Sequence, residues 1–152
     1  MKLRDATPAD AARLDALLTK LIRYEAQYDS NFIDSYVVID NYLDRIGLED
    51  HKLLLIEDER EIVAFLYGFL YEIPGMFAKP IAILDALYVE KEHRRKGYAS
   101  QLISAFKPFA EENGACRIEL KVLSCNEAAL RLYEKLSFKE TKKYMTMDLQ
   151  AQ

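Results

Sequence analysis

Leu14, Leu17, Leu18, Leu21 and Ile22 recur at i, i+3, i+4, i+7 and i+8, the spacing that lines one side of a helix. Thr7-Pro8-Ala9-Asp10 supplies a capping residue, a proline at the first helical position and an acid at the third, so this helix is predicted to open there, after a short strand over 2–6. Tyr24 and Tyr28 extend its stripe. A shorter helix over 34–46 is predicted from Ile39, Tyr42, Leu43 and Ile46, with Gly47 as a left-handed cap.

The rhythm then changes. Residues 52–56 and 62–71 are apolar and rich in branched and aromatic side chains, and the charged run Glu57 to Glu61 between them predicts a hairpin. Pro74-Gly75 breaks the chain. Residues 81–89, Ile-Ala-Ile-Leu-Asp-Ala-Leu-Tyr-Val, form a nearly continuous apolar run with one acid inside, the pattern of a central strand covered on both faces. A helix is predicted over 98–113, kinked or locally broken at Pro108 and stopped at Asn113-Gly114. Ile118, Leu120 and Val122 alternate with Glu119 and Lys121 and predict a strand over 116–123. Ser124 and Glu127 have capping-box spacing for a helix running to about Leu136, and Met145, Met147 and Leu149 alternate in a tail that predicts one or two closing strands over 138–149. The order β-α-α-β-β-β-α-β-α-β is that of a mixed α/β domain. With no repeat, linker or low-complexity tract, residues 1–152 are expected to form a single domain.

Composition narrows the class. In 152 residues, 51% are hydrophobic and 30% charged, which suits a globular chain. No apolar run is long enough to span a membrane and no signal-type segment follows Met1, so a cytoplasmic protein away from membranes is expected. Two cysteines and two histidines are too few and too scattered for a disulfide framework or a structural metal site. The net charge of -4 speaks against nucleic acid as a partner and suits a cationic substrate.

Chemistry concentrates where the central strand turns into a helix. Arg94, Arg95 and Lys96 stand at the helix entry, where free backbone N–H groups and the positive dipole end favour an anion, and Gly97 allows close approach of a phosphate. Neither GxxxxGK[ST] nor GxGxxG is present, which speaks against nucleotide hydrolysis and hydride transfer.

Arg94-x-x-Gly97-x-Ala99 resembles the Arg/Gln-x-x-Gly-x-Gly/Ala pyrophosphate motif of the GCN5-related N-acetyltransferase (GNAT) superfamily. Asn126-Glu127-Ala128-Ala129-Leu130-Arg131-Leu132-Tyr133-Glu134-Lys135-Leu136-Ser137-Phe138 is similar to that family's Asn-x-x-Ala-x-x-Leu-Tyr-Glu-Lys-Leu-Gly-Phe segment. The resemblance covers roughly residues 81–149 well, with Ser137 in place of the usual glycine and Ala99 in place of the more frequent one.

The resemblance implies a GNAT-like fold, a mixed central sheet flanked by helices, with acetyl-CoA as cosubstrate and no metal. It places the coenzyme A pyrophosphate on the backbone from Arg95 through Lys96, Gly97, Tyr98 and Ala99 to Ser100, with Arg94 beside it. It pairs the pantetheine arm with the strand Leu87-Tyr88-Val89 through the backbone at Leu87 and Val89. It also assigns Asn126 a pantetheine contact and Tyr133 the protonation of the departing thiolate. Seven helical residues rotate about 700°, so Asn126 and Tyr133 share a face. Ser124 and Glu127 fill the capping positions and leave Asn126 for a ligand.

An alkylamine with a pKa of about 10.4 must lose a proton before it attacks a thioester. Asp85 is the candidate base, because strand alternation puts it on the face of Ile83, Leu87 and Val89, where desolvation raises its pKa. The developing oxyanion needs a donor, such as a strand N–H freed at a bulge. The expected acceptor is an amine-bearing small molecule or peptide, with Tyr24, Tyr28, Tyr71 and Glu72 on the variable, substrate-facing side. Cys125 reads as a small buried residue rather than a nucleophile, and His93 as a turn residue. A non-catalytic acyl-CoA-binding module and a transferase for a larger acyl group are the competing readings, and a homodimer stays open.

Overall fold

The computed structural model describes residues 1–149, which separate into two compact units, Met1–Lys121 and the segment that begins at Val122. The first unit is built on a five-stranded sheet in the order β1 (Lys2–Asp5), β2 (His51–Asp58), β3 (Glu61–Tyr71), β4 (Ile81–Val89) and β5 (Ile118–Glu119). The first four strands are antiparallel neighbours, and β5 runs parallel to β4. A two-residue turn, Glu59-Arg60, joins β2 to β3 with both residues at positive φ, 52° and 71°, matching the twist of the flanking strands.

Helix α1 (Ala11–Ala26) lays Leu14 and Leu17, both fully buried, onto one face of the sheet against Leu53, Leu55, Phe65, Tyr67, Ala86 and Tyr88. The alternate residues Leu54, Ile56 and Leu66 are buried too, so the opposite face is also covered. There α2 (Tyr98–Glu112) lies across β2, β3 and β4, with Leu102, Ile103, Phe106, Phe109 and Ala110 buried along one stripe. Phe106 fits into the space left by the missing side chain of Gly68, where a Cβ would stand 2.3 Å from the ring. Truncating such a fully buried ring to alanine costs about 3–5 kcal/mol.

The chain enters α1 through a short 3-10 turn over Pro8–Asp10, where the Thr7 N–H donates to Asp10 Oδ2 at 2.7 Å and the Asp10 N–H to the Thr7 carbonyl at 2.9 Å. Arg4 clamps the same carboxylate, and this hydrogen bond is the main reason the Asp10 pKa is lowered to about 2.

Three expectations are corrected. No helix forms over 34–46, where a single helical turn after Tyr42 leads to Gly47 at φ 87°. The N–H groups that a helix would use are taken by α1: Val38 N–H donates to Thr19 Oγ1, and those of Asn41 and Tyr42 donate to the buried Asp15 carboxylate. Asp40, at φ 52°, breaks the run as well. Pro108 does not interrupt α2, because it stands on the exposed side and the carbonyl it deprives of a donor belongs to exposed Ser104, where water can serve. The strand expected over 116–123 shrinks to Ile118–Glu119, the two residues that find partners in Ala82 and Ile83.

In the second unit α3 (Glu127–Lys135) closes with the Phe138 N–H on the Tyr133 carbonyl at 2.9 Å and the Ser137 N–H on the Glu134 carbonyl at 3.0 Å, with Ser137 at φ 71°. The serine thus takes up the turn a glycine usually makes. Among the described residues no strand forms over 138–149, and Met145, Met147 and Leu149 are exposed, their alternation having no partner strand to pair with.

Candidate active site

At the end of β4 the chain makes a 3-10 turn over Lys91–His93, extends at Arg94, turns left-handed at Arg95 (φ 64°) and again at Gly97 (φ 79°), and then enters α2. The first helical bond runs from the Gln101 N–H to the Gly97 carbonyl at 3.1 Å, so the N–H groups of Tyr98, Ala99 and Ser100 precede the ladder and lack helical acceptors. Around Gly97 there is open space: a Cβ there would meet only Gln101 Nε2, at 4.0 Å. Unpaired donors, a helix dipole and open space at the glycine together suit an anion.

The three cations of this turn do different things. Arg94 faces the protein: its Nε donates to the Val89 carbonyl at 3.0 Å, and its guanidinium stands 5.7 Å from the ring centres of both Tyr24 and Tyr88. Lys96 leans towards Asp58, 3.7 Å away. Arg95 is exposed and has no side-chain partner among the described residues, leaving it as the cation available to a ligand. The rings of Tyr88 and Tyr98 are buried in the protein, so a ligand at the turn meets their main chain, not their side chains.

The β4–β5 ladder stops at Ile83 and Glu119, so β4 continues from Leu84 to Val89 without β5 beside it. The Glu90 N–H donates to the Val63 carbonyl on β3 at 2.8 Å. Two-residue alternation therefore turns the N–H and C=O groups of Tyr88 and Ala86 towards β3, and those of Leu87 and Val89 towards the open edge.

The register between β3 and β4 skips one residue: Tyr67 opposes Ala86 and Gly68 opposes Leu84, leaving Asp85 without a cross-strand partner. This bulge resets the alternation. Asp85 keeps company with Ile83, but Leu87 and Val89, opposite Leu66 and Ala64, fall on the α2 face, which corrects the expected arrangement. Asp85 lies instead among α1-side groups. Asp85 is exposed at the strand surface, but partial burial of its carboxylate still raises its pKa, against the opposing charges of Arg45 and Lys121. The Arg45 guanidinium stands 5.3 Å from the Tyr67 ring centre, and Tyr67 packs 5.1 Å from Tyr42 and hydrogen-bonds His51 Nδ1 at 2.8 Å. Half-buried Glu25 on α1 also has its pKa raised, by burial first and by the Asp85 charge second.

In the second unit Asn126 is the N-cap of α3, its Oδ1 accepting the Ala129 N–H at 3.2 Å. The cap thus falls on Asn126 and not on Ser124, so only its amide NH2 remains to donate to a ligand. Tyr133 lies two turns along α3, its ring edge-on to Phe138 at 5.7 Å. Cys125 is exposed, not buried as expected.

Residues 17–138 match the model of the acetyltransferase (GNAT) family. The chain belongs to this family. An uncharacterized N-acetyltransferase of Bacillus subtilis, YhfO, is 29% identical over 92% of this chain and 91% of its own length. Among solved structures, a mutant of the BH1408 protein of Bacillus halodurans superposes with a TM-score of 0.87 at 22% identity, covering 98% of this chain and 99% of that one. An aminoglycoside N-acetyltransferase, AAC(6')-Iy, in complex with CoA superposes with a TM-score of 0.73 at 14% identity, over 99% of this chain and 100% of that one. The mixed sheet flanked by helices is thus a GNAT fold.

The Gly97 turn lies at one end of the sheet, where β4 ends. The cavity of about 280 Å³ lined by Asp5, Ile46, His51, Lys52 and Phe109 is at the opposite end, beside the start of β2. Among the described residues no His, Cys, Asp and Glu cluster could hold a metal ion, and no helix is long and apolar enough to cross a membrane. The anion turn, the open edge of β4 and the bulged Asp85 all belong to the first unit, whereas Asn126 and Tyr133 belong to the second. Sequence reasoning missed Asp58, Glu25 and Arg45: each reads as an ordinary solvated charge, and only the fold brings them to the turn or to Asp85.

Proposed function

We propose that this GNAT protein is a single-domain, cytoplasmic acetyltransferase that moves an acetyl group from acetyl-CoA to a primary amine of a small molecule or peptide, by direct attack in a ternary complex. The observation that carries the reading is the open, left-handed turn at Gly97 leading into the unpaired N–H groups of α2 at the end of a strand with a free edge. A pyrophosphate fits that turn, held by the N–H groups of Tyr98, Ala99 and Ser100 with Arg95 as the nearest unpaired cation. The outward N–H groups of Leu87 and Val89 and the outward C=O of Leu87 suit the amides of a pantetheine arm, the Val89 carbonyl being taken by Arg94, and the family resemblance of its own segment gives Asn126 a pantetheine contact. The solved neighbour that holds CoA is an aminoglycoside N-acetyltransferase, which supports both the cosubstrate and an amine acceptor.

When bound, acetyl-CoA supplies an acyl group activated as a thioester. The protein's part is to bring an uncharged amine to it. Asp85, its carboxyl pKa raised by partial burial, takes the amine proton directly or through water. The bulge at Asp85 frees main-chain groups of β4, and an N–H there can face the negative charge that develops on the carbonyl oxygen. The family resemblance of the 126–138 segment assigns Tyr133 the proton for the departing sulfur. Glu25, with no ion-pair partner among the described residues, adds negative charge that favours a cationic acceptor.

Release of free thiol from acetyl-CoA, measured across amines, amino acids, aminoglycosides and peptides, tests the proposal. Acceptor-dependent thiol release supports it; CoA binding without turnover on any acceptor favours a non-catalytic acyl-CoA-binding module. Faster reaction with a longer acyl-CoA in the same assay would reassign the donor.

A further inference from the structure

We propose that Asp58 is a positioning residue that, through the hydroxyl of Tyr98, locks the phosphate-binding turn in its binding shape. This rests on the assignment of that turn to the CoA pyrophosphate.

Asp58 ends β2, immediately before the tight Glu59-Arg60 turn, so its backbone is fixed by the hairpin. Its carboxylate gathers three side chains from residues 93–98 together with the chain's N-terminal ammonium. Tyr98 Oη donates to Oδ2 at 2.9 Å, Lys96 Nζ is 3.7 Å from the same oxygen and His93 Nε2 3.9 Å, while the N-terminal ammonium stands 3.8 Å from Oδ1. The Tyr98 hydrogen bond leads the causes that hold the Asp58 pKa below the usual carboxylate range.

The turn needs such a hold. Arg95, a residue with a side chain, sits at φ 64° and Gly97 at φ 79°, and a left-handed residue with a Cβ costs roughly 1–2 kcal/mol. Two tethers bracket the strained segment. Arg94 fixes its start by donating to the Val89 carbonyl between the rings of Tyr24 and Tyr88, and Tyr98 fixes its end on Asp58. With both ends pinned, the N–H groups of Tyr98, Ala99 and Ser100 are aimed before a ligand arrives, and preorganisation of this kind lowers the entropic cost of binding.

Asp58 also has an opposing effect, since it draws the Lys96 charge away from an incoming phosphate. Substitutions separate the two. D58N keeps an oxygen to accept from Tyr98 and releases Lys96. D58A removes both interactions, and Y98F removes only the hydrogen bond.

Calorimetric titration of each purified full-length variant with CoA, alongside hydrogen exchange of the 95–100 amides without ligand, tests the lock. Y98F and D58A are expected to bind CoA about tenfold more weakly and to exchange these amides faster. D58N is expected to bind at least as tightly as the unmodified protein, with a steeper salt dependence. In turnover, D58A should raise KM for acetyl-CoA and leave kcat unchanged. Unchanged affinity and exchange in both Y98F and D58A overturn the lock, as does a loss in D58N equal to that in D58A. If the unmodified protein binds no CoA, the assignment of the turn falls, and the lock with it.

Discussion

Replacing Gly97 by alanine separates folding from binding, because the structure assigns the two effects to different causes. The new Cβ would meet nothing closer than Gln101 Nε2 at 4.0 Å, so no steric penalty arises in the free protein. What remains is the left-handed backbone at φ 79°, which costs a residue with a side chain about 1–2 kcal/mol. In a chain of this size each kcal/mol lowers Tm by about 2–4 °C, so the melting temperature should fall by roughly 2–8 °C. On the proposed reading, the same methyl group stands where the pyrophosphate approaches the first turn of α2. Loss of one charge-assisted hydrogen bond, about 1.5–3 kcal/mol, weakens CoA binding by roughly 10- to 100-fold. Gly68→Ala is the contrasting substitution. Its Cβ would lie 2.3 Å from Phe106 Cζ and 2.7 Å from the Ile83 carbonyl oxygen, so it should lose more stability, about 3 kcal/mol by overpacking, while the folded fraction binds CoA normally. Calorimetric titration with CoA and thermal melts of both variants provide the readout. Unchanged CoA affinity in Gly97→Ala would refute the reasoning, and so would a larger stability loss at Gly97 than at Gly68.

Tyr133→Phe should slow turnover about 100-fold or more with little change in KM for acetyl-CoA, the signature of a lost proton donor; steady-state thiol release measures it, and unchanged kcat removes the acid role. Asp85 must be ionised to act as base, so the rate should climb as pH rises through a value above the ordinary carboxylate range, and be lost as pH falls below it. In Asp85→Asn that limb should vanish from the pH profile along with about 100-fold of rate, and a limb that persists would assign the base elsewhere. Ser137→Gly should relieve the positive φ of 71° at the end of α3, raising stability by about 0.5–1 kcal/mol in chemical denaturation. An unchanged or lowered midpoint would show that the serine is not strained there.

Strand β4 was legible because its apolar run is continuous and bounded by Pro80 and Glu90, and α2 because its buried stripe follows helical spacing right after Gly97. The segment over 34–46 carried similar spacing and misled, because the donors of a would-be helix are satisfied by Asp15 and Thr19 across the structure, a contact that no local pattern encodes. The face of Asp85 was misread beyond Ile83 for a related reason: alternation assumes an unbroken ladder, and a single bulged residue reverses every side chain after it. In the basic turn the sequence indicated an anion site but not the division of labour. Arg94 is spent on Val89 and two tyrosine rings, and Lys96 is shared with Asp58, a residue that reads along the chain only as part of a charged hairpin turn.

The central claim, direct transfer of acetyl from acetyl-CoA to an amine, is tested by initial rates of thiol release with both substrates varied. Cys116 and Cys125 are exposed, so a covalent acetyl-enzyme route is the alternative this measurement addresses. Direct attack predicts reciprocal plots that intersect and thiol release that depends on the amine. Parallel plots, or thiol release that is the same with and without amine, would contradict it.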